Sequence, residues 1–240
     1  MDNSEYSYLD RNVASIRERI GAAEREAGRK DGDVLMLAAV KYAKAEEIDR
    51  LVHTLGVTDI GENRVQQLLE HCEGVDLSGV NIHFIGTLQT NKVKYIIDKV
   101  KLIHSLDSIK LAAEIDKQAK KHSLVMDVLV EINSGEEESK SGLKPCEVEA
   151  FCAELSRFDN IRLCGFMTMA PRCDKKEDYL KYFGETYAQV LDIWAKKLHN
   201  INKAEKPLIS MGMSESFEEA ILCGSDIVRI GRSLFVGRED

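Results

Sequence analysis

Lys41 is the first residue with chemical prospects, because it directly follows the apolar run VLMLAAV. At the rim of a packed sheet or barrel such a lysine is often only a snorkelling side chain. Partial desolvation changes that reading: it disfavours an ammonium and leaves an amine able to attack an aldehyde. A second pair of signals comes late in the chain. In SMGMSESFEEA a strand runs into Gly212, Ser214 and Ser216 just before a helix, and in VRIGRSLFVG another strand runs into Gly231 and a short helical end. Hydroxyls and free N–H groups in such places bind phosphate. Taken singly, each loop is equally well explained by a helix N-cap or a tight turn; the two together favour phosphate. Arg229 lies between Val228 and Ile230, so it either points into a site or is buried against a partner. One use for it is to face a ring-nitrogen acceptor of a cofactor.

These residues need a scaffold, and the chain alternates short apolar runs with longer amphipathic stretches, as a parallel sheet with crossover helices does. A leading helix (Asp10 to Ala27) precedes the strand Val34 to Val40 and a helix from Ala45 to Leu55. VTDIG then ends at Gly61, with a helix from Asn63 to Glu73, and NIHFIG ends at Gly86, with a helix around Asn91 to Lys99. KLIHS is followed by a helix from Ile109 to His122. MDVLVEIN leads into an acidic loop (Glu136, Glu137, Glu138) and a helix entered at Pro145. IRLCGFMTM, a helix from Tyr179 to Leu198, PLIS, a helix from Phe217 to Cys223, and DIVRIG complete eight strands. The pattern predicts an α/β fold, a single (β/α)8 TIM barrel with an extra N-terminal helix, occupying residues 1–240 as one domain. Such barrels need about 250 residues and carry their chemistry at the C-terminal strand ends. An open doubly wound sheet would want a glycine-rich turn after the first strand, and VLMLAAVKYAK has no glycine.

Composition narrows the partners. The chain has 240 residues, 44% hydrophobic and 31% charged, with net charge −8 and pI near 5.4. That balance argues against gripping a nucleic-acid backbone or an anionic membrane. No signal peptide or membrane span is expected. Six scattered cysteines without a C-x-x-C are read as reduced thiols of a cytoplasmic protein. The histidines lack metal spacing, so no metal is assigned, and His83 and His104 are expected in the core. Tyr179, Tyr182, Phe183 and Tyr187 recur at helical spacing, as core packing does.

The stretches AAVKYA, DIGENRVQQ, IHFIGTLQTNKVKYI, IHSLDS, EINSGEEESKSGL, GFMTMAP, SMGMSESFEEAI and VRIGRSLFVG span Leu37 to Gly237. They resemble the YggS/PROSC family of pyridoxal phosphate homeostasis proteins. The resemblance implies a barrel like the N-terminal domain of alanine racemase, with pyridoxal 5'-phosphate (PLP) held as a Schiff base on Lys41. It implies phosphate binding by Ser214 with the backbone of Gly231 and Arg232, and Arg229 facing the pyridine nitrogen. Asn63, Met167 and Ser210 match positions lining the ring and phosphate. The tail departs from the family pattern, with one extra residue in FVGRED. The implied role is to carry PLP and hand it to apo PLP-dependent enzymes, as a monomer and without catalytic turnover.

Two other functions compete. An amino-acid racemase needs acid–base groups on both faces of the ring, and Lys41 supplies one; the chain ends at Asp240, which leaves no length for a second domain to supply the other. A phosphosugar isomerase needs a paired acid and base at the strand ends, where Glu62 is the obvious carboxylate. The carrier reading stands first.

Overall fold

Strands covered on both faces satisfy their main-chain groups by pairing in parallel, and a barrel leaves no edge unpaired. A computed structural model describes residues 6–137, 140–196 and 204–238. Its strands are β1 (Leu35–Ala39), β2 (Asp59–Glu62), β3 (Asn81–Phe84), β4 (Leu102–Leu106), β5 (Met126–Ile132), β6 (Ile161–Thr168), β7 (Leu208–Met213) and β8 (Ile227–Ile230), closed in chain order. β8 returns to β1 with Leu37 opposite Arg229 and Ala38 opposite Ile230. The chain therefore forms the (β/α)8 barrel with a leading helix that its pattern predicts.

The helices are α1 (Ser7–Glu26), α2 (Ala45–Asp49), α3 (Val65–Gly74), α4 (Ile109–Lys121), α5 (Val148–Glu154), α6 (Lys176–Ala195) and α7 (Phe217–Leu222). Two crossovers differ from expectation. The helix expected around Asn91 to Lys99 is a 3₁₀ segment over Thr90–Tyr95. Val93 within it and Ile96 and Ile97 just after it are buried, and three β-branched side chains in so short a connection favour a tight turn over a regular helix. The expected Ala45 to Leu55 helix widens into a π-helical turn over Arg50–Thr54, where Arg50 Nε reaches Asp10 of α1 at 2.8 Å. Glu138 and the expected end of α6 at Leu198 lie outside the described residues.

Apolar side chains fill the barrel on both sides of its wall. Leu37, Leu102, Leu129, Cys164, Met167 and Ile227 pack inside it, and a larger layer lies between strands and helices. Tyr179 and Phe183 of the aromatic stripe stack within that outer layer, ring centroids 6.1 Å apart. α1 packs against α7 and the 3₁₀ turn Arg232–Phe235. Its Asn12 amide donates to the Leu234 carbonyl at 2.9 Å, and Arg19 clamps Glu218 with bonds of 3.0 and 2.9 Å. The extra helix thus braces the two loops that follow β7 and β8. No helix among the described residues is long and apolar enough to cross a membrane.

Gly165 marks the tightest point of the wall. Pairing of β6 with β5 skips Cys164, and a Cβ on Gly165 would lie 1.9 Å from the Leu208 carbonyl oxygen of β7. Main chain on both sides cannot yield as a side chain can. Gly165→Ala is expected to destabilise the protein by at least about 2 kcal/mol in urea unfolding. Gly184→Ala, in open space on α6, should instead stabilise it by about 0.5–1 kcal/mol. Equal midpoints for the two variants would contradict the close approach of β6 and β7.

Candidate functional site

Along β1, Leu37 faces the barrel interior, and the two-residue period of a strand carries Ala39 and then Lys41 to the same side at the mouth. The Lys41 carbonyl accepts from the Gln67 amide at 2.6 Å, and its Nζ lies 4.7 Å from the centroid of the Tyr42 ring. Arg238 donates to the Tyr42 carbonyl at 2.9 Å, so the tail is tied to the loop that carries the lysine. Lys41 opens onto a cavity of about 390 Å³ that Asn63, Gly86, Glu131, Ser141 and Met169 also line. Asn63 Oδ1 is buried there without a protein partner, an acceptor suited to a bound molecule. Gly86 has to be glycine, since a Cβ would meet the Asn63 carbonyl oxygen at 2.1 Å.

The loops after β7 and β8 meet beside this cavity. Gly212 has φ +89, and a Cβ there would strike Ala220 at 2.5 Å. The chain therefore turns sharply and presents Ser214, whose Oγ accepts from the main-chain N–H groups of Gly231 at 3.3 Å and Ser233 at 3.2 Å. A Cβ on Gly231 would stand 3.5 Å from Ala39 Cβ, which puts this cluster of donors against the end of β1, two residues before Lys41. The two N–H groups converge on one point, taken here by Ser214 Oγ, and an anionic oxygen placed there would meet the same donors. The side chain of Arg232 points away and pairs with Glu215 at 3.0 Å on the rim.

Arg229 is 5% exposed. It donates to the carbonyls of Ser210 and Thr168 at 2.8 Å each and to Ser210 Oγ at 2.7 Å. Burial pushes its pKa down to about 10, with Glu131 opposing, so the guanidinium stays charged at neutral pH. Ser210 Oγ lies 3.0 Å from His104 Nδ1, His104 Nε2 lies 2.9 Å from His83 Nδ1, and His83 Nε2 lies 3.0 Å from Asp59 Oδ1. One arrangement of protons satisfies every atom: Arg229 donates to Ser210, Ser210 to His104, His104 to His83, and His83 to Asp59. Burial, aided by Arg229 and His83, holds His104 well below the usual histidine range. Burial works against the charge of Asp59, but hydrogen bonds from His83 and Thr58 outweigh it and keep the pKa low.

The expected residues thus occupy different depths. Lys41 and Asn63 line the cavity, Ser214 and Gly231 form the donor cluster beside it, and Ser210 and Arg229 lie beneath. Met167 packs in the inner apolar layer, 1% exposed, while Met169 two residues on lines the cavity. Sequence reasoning missed Glu131 and Ser141. A charge within the apolar strand VLVEIN was the available signal, the same one that singles out Arg229. Glu62, the carboxylate weighed for isomerase chemistry, turns to α3 and meets His71 Nδ1 at 2.5 Å. That hydrogen bond raises the His71 pKa.

The buried imidazole of His104 links stability to pH. Its folded pKa is depressed, so below about pH 6.5 the unfolded chain takes up a proton that the native state does not. Stability is then lost as pH falls below that point, by up to about 1.4 kcal/mol per pH unit for one proton. Urea unfolding at about pH 5 and about pH 7 should show a smaller pH dependence in His104→Gln than in the unmodified protein. Equal slopes would contradict a neutral buried imidazole.

Comparison with known proteins agrees with this architecture. The family model for the alanine racemase N-terminal domain matches residues 9–239. A pyridoxal phosphate homeostasis protein of Aquifex aeolicus is 40% identical over 227 residues, covering 95% of this chain and 97% of that protein. Among solved structures, an unknown protein from Bifidobacterium adolescentis superposes with TM-score 0.90 at 32% identity, covering 98% of this chain and 97% of that one. PipY of Synechococcus elongatus PCC7942, solved with PLP bound, gives TM-score 0.77 at 25% identity, covering 92% and 99%. On the extent of these matches the chain belongs to the family of pyridoxal phosphate homeostasis proteins, built on the alanine racemase N-terminal domain.

Proposed function

We propose that this protein carries PLP on Lys41 as a Schiff base and takes part in intracellular PLP homeostasis, delivering the cofactor to apo enzymes without turning over a substrate. The observation that carries this reading is the placement of Lys41 in a cavity of about 390 Å³, next to the donors gathered around Ser214. Relatives named pyridoxal phosphate homeostasis proteins and the PLP-bound structure of PipY support it. When bound, PLP supplies an aldehyde that a lysine amine captures reversibly and a ring that can withdraw electrons.

The residues of this chain divide the remaining work. Ser214 and the main-chain N–H groups of Gly231 and Arg232 would hold the phosphate, Asn63 would accept from a donor on the ring, and Met167 would pack beneath it. Arg229, held beneath the cavity by Ser210 and Thr168, would be the residue that meets the ring nitrogen. A guanidinium only donates, so it would favour an unprotonated nitrogen there and a weaker electron sink. Such a ring suits storage and transfer better than racemisation. Residues 1–240 act as one unit in this reading, a cytoplasmic monomer.

Borohydride reduction of the loaded protein followed by peptide mapping should place the pyridoxyl group on Lys41, and Lys41→Ala should lose the visible absorption band. Label on Lys44 or Lys92 would overturn the assignment. Pyridoxal without phosphate should bind at least about 100-fold more weakly than PLP, since charge-assisted bonds contribute about 1.5–3 kcal/mol each. Ser214→Ala should weaken PLP and leave pyridoxal unchanged. Equal affinity for the two aldehydes would remove the phosphate site.

A further inference from the structure

The cavity holds a second ionisable group whose placement is specific. Glu131 lies on β5 two residues beyond the inward-facing Leu129, is 2% exposed, and is the one carboxylate among the described residues that line the cavity with Lys41. A strap of chain is folded over it. Ser141 Oγ donates to Glu131 Oε1 at 2.7 Å, Leu143 N donates to the Glu131 carbonyl at 2.9 Å, and Asn133 N donates to the Leu143 carbonyl at 2.9 Å. Gly142 makes this possible. Its φ is +101, and a Cβ would stand 2.8 Å from Asn133 N and 3.2 Å from Glu131 Cγ.

Around this carboxyl stand Asp107 after β4, Arg229 on β8 and Ser141 on the strap, and Lys41 after β1 lines the same cavity. Burial raises the Glu131 pKa, the Ser141 hydrogen bond opposes, Asp107 adds to the rise and Arg229 opposes it; the net direction is up. Asp107 is itself raised by burial. A carboxyl whose proton affinity is raised gives and takes a proton more evenly than an exposed carboxylate does.

We propose that Glu131 moves the protons when Lys41 takes up or releases its aldehyde cargo. The inference rests on the carrier reading of Lys41. Uptake exchanges a carbon–oxygen double bond for a carbon–nitrogen double bond, with no change in oxidation state. The oxygen leaves as water with two protons, and both begin on the neutral Nζ amine. Glu131 relays both in turn, once as the carbon–nitrogen bond forms and once as water leaves: each time its carboxyl gives a proton to the oxygen and its carboxylate recovers one from the nitrogen, so it ends as it began. Release runs in reverse, with water supplying the oxygen and both protons returned to Nζ.

The test measures PLP uptake by the apo protein, PLP release into an excess of a hydrazide scavenger, and equilibrium Kd, from about pH 6 to about pH 9. Glu131→Gln should slow uptake and release alike by about 100-fold. Its Kd should stay within about threefold, because a group that only transfers protons lowers the barrier in both directions. Ser141→Ala removes a donor to the carboxylate, so the midpoint of its pH–rate profile should move upward while the maximal rate is kept. This second variant tests the role independently of how well Glu131→Gln folds. Rates in Glu131→Gln within about twofold of the unmodified protein would overturn the proposal, as would a weaker Kd arising wholly from faster release, the mark of a charge or packing role. If the unmodified protein takes up no PLP on Lys41, the carrier reading fails and this inference with it. Normal loading of both proteins at equal rates removes only the role of Glu131.

Discussion

A guanidinium inside a barrel is the constraint around which the rest is arranged. An arginine removed from water loses hydration that a few good hydrogen bonds must replace. Arg229 finds main-chain acceptors at Ser210 and Thr168, where β7 and β6 turn their carbonyls inward. Its third partner, Ser210 Oγ, would be left with a proton to place if nothing followed. His104, His83 and Asp59 carry that obligation across the barrel until it ends on a carboxylate. The cross-section is consequently polar along one path through β2, β3, β4, β7 and β8. Leu37, Leu129 and Met167 supply the apolar filling on β1, β5 and β6.

This polar path and the mouth above it make different demands on the chain. The path requires rigid neighbours, because each hydrogen bond is 2.7 to 3.0 Å long and depends on the strand register. The mouth requires close approaches that only glycine permits, at Gly86, Gly142 and Gly212. α1 serves the mouth from outside, since its bonds to Leu234 and Glu218 fix the same loops that bring Ser214 to Gly231. A barrel with a braced rim and a fixed floor suits holding a small molecule.

Much of this was legible in the sequence. Lys41, Ser214 and Gly231 announce themselves as unusual residues at strand ends, and Arg229 as a charge within an apolar strand. The same rule applied to VLVEIN would have found Glu131. Ser141 was not legible, because it reaches Glu131 through a strap whose path depends on Gly142. Both Met167 and Met169 follow the inward period of β6, but which layer meets the cavity depends on how far neighbouring strands extend. His83 and His104 were recognisable as core residues. Their pairing was not, because it links residues 21 and then 106 positions apart, and a single sequence does not give the register between strands.

The line from Arg229 to Asp59 also bears on how such a protein can change over generations. Each member satisfies the next, so replacing any one leaves a buried donor or acceptor without its partner, at a cost of about 1–3 kcal/mol. A protein only marginally stable tolerates few such intermediates. Substitutions along the line are therefore strongly coupled, and the effect of one depends on whether the others have already changed. Lineages that lose His104 are expected to have altered His83 or Ser210 as well, so that five residues spread over five strands are inherited as one character.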